Sequence, residues 1–153
     1  MEIERKWLID KIPFDLQNFS KKEIEQAYLC TNPVLRIRKT DDKYGLTYKG
    51  EGLVAREEHN LPFSKEGYDR LISAAEGIVL TKTRYLIPCD PYTIELDVFH
   101  GVYEGLVLAE VEFPSLEECN AFIAPSWFGE DVSESGKYQN SRLCRMNGLQ
   151  DLQ

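Results

Sequence analysis

Over most of its length the chain alternates apolar and polar residues one by one, the signature of strands with one face turned to a core. At the start, Glu2, Glu4 and Lys6 fall on one face, and Ile3, Trp7 and Ile9 fall on the other. Glu23 to Cys30 reads as a second strand, broken by Asn32-Pro33. Val34 to Lys39 then places Arg36 and Arg38 opposite Leu35 and Ile37. Tyr44 to Lys49, Val54 to Phe63, Val79 to Ile87, Thr93 to Phe99 and Leu106 to Phe113 continue the pattern, separated by short turns. The period changes between Ser64 and Gly77. Ser64 suits an N-cap, Tyr68, Leu71, Ile72 and Ala75 form a helical stripe, and Gly77 suits the stop. A second helix opens with Ser115 and Glu118 in capping-box spacing, with Leu116, Cys119 and Ile123 as its buried stripe and Pro125 as its end. Asp10 to Ser20 reads as a loop, and the tail carries a short helix near Ser141 to Met146. The pattern predicts a mainly β (α+β) fold: one domain over residues 1–153, about eight antiparallel strands closed into a barrel, and a few flanking helices.

The polar faces are sorted by sign. Acids stand two residues apart at Glu2/Glu4, Glu95/Asp97 and Glu110/Glu112; bases do so at Arg36/Arg38 and Lys82/Arg84. Lys6, Lys49, Arg56 and Glu58 fall on the corresponding faces of their strands. Neighbouring like charges repel, so a solvated sheet face usually mixes signs. Segregated signs suit a channel that holds a polyanion and its metals. Arginine and lysine grip phosphate oxygens, and carboxylates hold Mg²⁺ or Mn²⁺ against those same oxygens. By charge pattern alone, a sandwich with a charged outer face remains open beside the channel.

Length and composition narrow the class. A chain of 153 residues, 42% hydrophobic and 29% charged, closes a core without disulfide staples. No apolar run reaches the roughly 18 residues that span a membrane. The net charge of −8 argues against a nucleic-acid partner. Cys30, Cys89, Cys119 and Cys144 lack metal-ligand spacing, which points to reduced thiols and a cytoplasmic protein.

The order of motifs then resembles a known family. Glu2-Ile3-Glu4-Arg5-Lys6 matches the E-x-E-x-K opening of the CYTH superfamily, the triphosphate tunnel metalloenzymes. Q-A-Y-L around Tyr28, R-I-R at Arg36 and Arg38, T-Y-K ending at Lys49 and R-E-E at Arg56 to Glu58 follow in family order. After them come K-T-R-Y at Lys82 to Tyr85, E-L-D-V-F at Glu95 to Phe99, E-V-E-F at Glu110 to Phe113 and the tail from Trp127 to Ser133. The resemblance covers nearly the whole chain and implies an eight-stranded tunnel, open at both ends, that acts on a small-molecule triphosphate with a divalent metal. It implies that Lys6, Arg36, Arg38, Lys49 and Arg84 bind phosphate. Glu2, Glu4, Glu110 and Glu112 would hold Mg²⁺ or Mn²⁺, with Glu58, Glu95 and Asp97 near a second ion. Lys82 and Tyr28 would position and deprotonate the attacking water. Two departures stand out: Asn60 where many relatives have an acid, and Ser135 and Lys137 where relatives tend to have Asp and Arg.

The remaining candidates take bland readings. His59 and His100 lack ligand spacing, and Trp7 and Trp127 read as packing anchors. The expected reaction is hydrolysis of inorganic triphosphate. An adenylate cyclase of the CYTH type, a thiamine triphosphatase and a non-catalytic polyphosphate-binding module are its rivals, and product analysis separates them. The sequence leaves the oligomeric state open.

Overall fold

The structure, a computed structural model, describes residues 1–153. Nine strands form one antiparallel sheet: β1 (Glu2–Leu8), β2 (Ser20–Thr31), β3 (Val34–Thr40), β4 (Lys43–Lys49), β5 (Ala55–Arg56), β6 (Glu58–Phe63), β7 (Glu76–Cys89), β8 (Tyr92–Phe99) and β9 (Val107–Glu112). Their order across the sheet is β5-β1-β9-β8-β7-β2-β3-β4-β6. The two edge strands are separated in the chain only by Glu57. β5 pairs with β1, Glu2 opposite Arg56, and β6 pairs with β4, Lys49 opposite Glu58. One bent strand thus changes partner midway and closes the sheet into a barrel with eight walls, which reconciles nine short strands with the eight expected. β5 covers only the first half of β1. Along the second half the tail lies against the same edge: Val132 donates to the Lys6 carbonyl at 2.8 Å, and Leu8 to that of Glu130 at 2.9 Å.

Outside the barrel, helices cover what the alternation exposes. Helix α1 (Lys65–Ile72) is capped by Ser64, whose hydroxyl accepts from the Gly67 amide at 2.9 Å, and it buries Tyr68 against Ala27 and Ile37. It stops well before Gly77, which lies in β7 with φ +75°. A Cβ there would collide with the Cys144 carbonyl, so this glycine admits the tail and does not end a helix. Helix α2 (Leu116–Ala121) has the predicted Ser115 cap but not the predicted stripe: Cys119 is buried, whereas Leu116 is 52% and Ile123 89% exposed. The helix is too short to carry Ile123, and Phe122 packs inward against Trp7 in its place, their rings 5.6 Å apart. Trp7 and Trp127 sit in this outer cluster with Phe128, as packing anchors.

The second cluster lies inside the barrel. Tyr28, Val34, Leu80, Phe99 and Leu108 point inward, on the same faces as the charged residues, and pack against Val132, Leu143, Cys144 and Leu152 of the tail. Helix α3 (Asn140–Leu143) is pinned there by Tyr103, whose hydroxyl donates to the Leu143 carbonyl at 2.6 Å. The tunnel is therefore not open at both ends. An apolar plug fills one end and leaves a charged pocket at the other. All four cysteines are free thiols. No helix is long and apolar enough to cross a membrane.

Candidate active site

Above the plug lies a cavity of about 230 Å³. Period-2 alternation aims Glu2, Glu4 and Lys6 of β1, Arg36 and Arg38 of β3, Glu95 of β8, and Glu110 and Glu112 of β9 into it. Lys49, Glu58, Arg84 and Tyr28 also line it, and Tyr28 and Val34 are the only hydrophobic side chains of the lining.

Two predicted site residues do not reach the cavity. Lys82 and Asp97 are buried below its floor, with Lys82 Nζ 2.8 Å from Asp97 Oδ2. Arg84 holds the same carboxylate in a two-pronged grip, Nε to Oδ1 at 2.7 Å and Nη2 to Oδ2 at 2.8 Å. Both Asp97 oxygens thereby accept from cations, which makes Asp97 the counter-ion of Lys82 and Arg84. Lys82 and Tyr28 share no hydrogen bond: the lysine donates to Asp97 and to Asn140, and the tyrosine hydroxyl accepts from Gln26. Burial first, then Arg84 and Arg38, draws the Lys82 ammonium down to about 7 against the pull of Asp97.

Most remaining acids already have cations. Lys49 Nζ lies 2.9 Å from Glu2 and 3.5 Å from Glu58, Arg84 lies 2.9 Å from Glu95, and Lys6 lies 3.2 Å from Glu110. Glu110 pays for desolvation, yet Lys6, Arg84 and Lys82 hold it well below the usual carboxylate range. Glu2 and Glu58 are electrostatically coupled: burial, then Glu58, raises Glu2, while Glu58, despite partial burial, is drawn to about 2 by Glu2, Asn60 and Lys49.

Four groups are left without an opposite charge, and they face each other. Arg36 and Arg38 have no carboxylate partner; Arg36 reaches Thr47 at 3.1 Å, its Nε has no partner at all, and Arg38 reaches the Gln26 carbonyl at 2.8 Å. Burial, with Arg36 and Arg84 beside it, lowers Arg38 to about 9. Around the barrel from them, Glu4 and Glu112 are register partners on β1 and β9, and neither pairs with a cation. Burial, then Glu110 and Glu2, raises Glu4 to about 8; burial and Glu95 raise Glu112. Such a set fits a hard divalent cation, since carboxylates held partly protonated by burial and by one another's charge ionise when one arrives. As positioned, no three acidic side chains converge on one coordination point. The fit lies in donor chemistry and unmet charge.

Several site residues were not legible as such in the sequence. Asn140 and Ser141 of the tail line the cavity, and Asn140 Oδ1 accepts from Lys82 at 3.2 Å. Their place depends on the tail's docking, which no local pattern encodes. Gln26 is fully buried between Arg38 and Tyr28. Its alternation with Tyr28 on β2 was available as a signal, but an uncharged amide draws no attention in a charge pattern. Arg56, which alternation put on the charged face without a site role, is also in the lining, 3.5 Å from Glu2. Asn60 joins a chain from Arg36 through Thr47 to Glu58, accepting from Thr47 and donating to Glu58 at 2.6 Å each. Ser135 and Lys137 lie outside the lining; the lysine donates to the Leu152 carbonyl at 2.8 Å. His59 pairs with Glu57 in solvent and His100 with Thr83, both away from the cavity.

Comparison with known proteins agrees with this architecture. The CYTH domain family matches residues 1–141. An inorganic triphosphatase of Nitrosomonas europaea is 39% identical over 148 residues, covering 94% of this chain and 96% of its own. One of Acetivibrio thermocellus is 33% identical over 150 residues, covering 94% and 93%. The crystal structure of the inorganic triphosphatase NE1496 superposes with a TM-score of 0.72 at 35% identity, covering 97% of each chain. A charged barrel interior with these relatives along nearly its full length makes this chain a member of the CYTH domain family.

Proposed function

We propose that the protein hydrolyses inorganic triphosphate to pyrophosphate and phosphate with the help of Mg²⁺ or Mn²⁺. One observation carries this reading: Arg36 and Arg38, without carboxylate partners, stand across a charged cavity from Glu4 and Glu112, without cation partners. Two opposed sets of unmet charge suit a polyanion that arrives with its metal. Triphosphatases of this family are generally metal-dependent. Glu4 and Glu112 are the ligands we assign, with Glu2, Glu58, Glu95 and Glu110 around them. A divalent ion there would offset phosphate charge and polarise the terminal phosphoryl group.

The chain's own groups do the rest. Arg36 and Arg38 bind non-bridging oxygens, which gain charge as the reaction proceeds. Lys6, Lys49 and Arg84, each tied to a carboxylate, keep the walls near neutrality and add contacts along the anion. Water attacks a terminal phosphorus as the bond to its bridging oxygen breaks, and pyrophosphate leaves with that electron pair. We assign the water's proton to Lys82, an interior amine drawn to about 7. It sits one side chain behind the wall, against Asn140, and its flexible stem must turn past that residue to reach water.

The lining also favours a bare triphosphate over a nucleotide. A nucleobase wants an aromatic face or paired amides. Tyr28 is the only aromatic in the lining, and the apolar plug shuts the far end where a nucleoside could extend. The test is phosphate release from inorganic triphosphate, ATP and thiamine triphosphate, with and without metal. Inorganic triphosphate should lead ATP by at least about tenfold in kcat/KM, roughly 1.4 kcal/mol, with no cyclic AMP. Equal turnover of ATP, or cyclic AMP at a comparable rate, overturns the assignment.

A further inference from the structure

The hydrogen-bond polarity of one buried amide decides what Tyr28 can do. Gln26 is 0% exposed and lies between two side chains that line the cavity. Its Oε1 accepts from Arg38 Nε at 2.8 Å, and its Nε2 donates to the Tyr28 hydroxyl at 3.3 Å. The orientation is not arbitrary. A guanidinium has only donors, so the amide oxygen must face Arg38 and the NH₂ must face Tyr28. The phenol oxygen is thereby an acceptor toward Gln26, and its own proton points elsewhere. No protein acceptor takes that proton, and Tyr28 is one of the residues that line the cavity.

We propose that Gln26 is a positioning residue that makes Tyr28 a hydrogen-bond donor to a phosphate oxygen of the substrate, relaying the fixed polarity of Arg38 into the cavity. The inference rests on the triphosphatase reading. It removes Tyr28 from the role of base partner to Lys82, since a phenol already accepting from Gln26 presents its proton, not its lone pair, to the cavity. Arg38 and Tyr28 then address the substrate together, one as a charge and one as a neutral donor.

The discriminating variant is Gln26→Glu, nearly identical in shape. A carboxylate facing Arg38 with one oxygen accepts from Tyr28 with the other, turning the phenol proton away from the substrate. Steady-state kinetics on inorganic triphosphate with Mg²⁺ should show kcat for Gln26→Glu falling about tenfold or more, as for Tyr28→Phe, the scale of one hydrogen bond to a charged group. Gln26→Met, which removes both hydrogen bonds but lets the phenol rotate, should lose less kcat than Gln26→Glu. A purely packing role predicts the reverse order. In Tyr28→Phe, adding Gln26→Glu should cost less kcat than it does in the wild type, because the phenol's share is already gone and only the weakened grip of Arg38, which also raises KM, remains. Multiplying kcat losses, or Gln26→Met worse than Gln26→Glu, overturns the proposal. Calorimetric binding of triphosphate to the metal-free protein, where nothing turns over, gives a second reading: Tyr28→Phe and Gln26→Glu should each weaken binding, and the contribution of the phenol should vanish in the Gln26→Glu background. Wild-type protein that binds triphosphate with this pattern but releases no phosphate sinks the hydrolase reading and leaves the donor assignment standing. Wild-type turnover with an unaltered Gln26→Glu sinks only the donor assignment.

Discussion

The two halves of the barrel interior are made by the same strands with the same inward parity, yet they differ completely in chemistry. On β1 the inward series is Glu2, Glu4, Lys6 and then Leu8; on β3 it is Arg38, Arg36 and then Val34. On β7 it is Arg84, Lys82 and then Leu80, on β8 Glu95, Asp97 and then Phe99, and on β9 Glu112, Glu110 and then Leu108. Each of these five strands changes from charged to apolar along its inward face. Below that change the tail supplies Leu143, Cys144 and Leu152, and packing excludes water. Above it, charge repels charge and a cavity stays open. The plug carries stability, and the pocket holds unmet charge for a ligand. Stability and function occupy successive turns of the same alternation.

This division can be broken from either side. The largest expected effect is on the apolar side: Leu108→Ala, at a site 1% exposed, should lower unfolding free energy by about 3 kcal/mol. Measured well below its melting temperature, kcat/KM should stay within about twofold of wild type. A collapse of activity in the folded variant would show that the plug shapes the site as well as sealing it.

On the charged side, Glu4→Gln should cut metal-dependent turnover by about a hundredfold, near 2.7 kcal/mol. Near wild-type activity at saturating metal would remove Glu4 from the ligand set. The same variant should gain stability where Leu108→Ala loses it. Glu4 titrates near 4.5 when unfolded and near 8 when folded, so between those values the folded state holds a proton that the unfolded chain has released. Stability then falls as pH rises through that window, and glutamine removes the fall. Metal-free Glu4→Gln should melt above wild type at pH 8, with the gap closing toward pH 4.5. A gap of opposite sign would mean that Glu4 is stabilised by a cation, not repelled by its neighbours.

A smaller, sharper test separates grip from chemistry. Arg38→Ala should raise KM and lower kcat, each by about tenfold, because it contacts oxygens that gain charge. Lys82→Ala should lower kcat by about tenfold with less change in KM. If Lys82→Ala raised KM alone, the lysine would be a clamp on Asp97 and not a base.

Local physics explains what the sequence could carry by itself. Strands with charge on one face and apolar residues on the other follow from period-2 alternation, which groups Glu2 with Glu4, Arg36 with Arg38 and Glu110 with Glu112; that this face is the barrel interior is decided by closure. The Ser64 and Ser115 caps were legible for the same reason, since a cap is a contact within a few residues. Tertiary structure alone decided the pairings. Asp97 looks like Glu95 in the sequence, but depth in the barrel and the reach of Arg84 and Lys82 consume both its oxygens. Closure by a bent strand, the dead end, and the arrival of Asn140 beside Lys82 depend on segments far apart in the chain meeting in space. Such contacts are set by packing over the whole barrel, and no local pattern of residues specifies them.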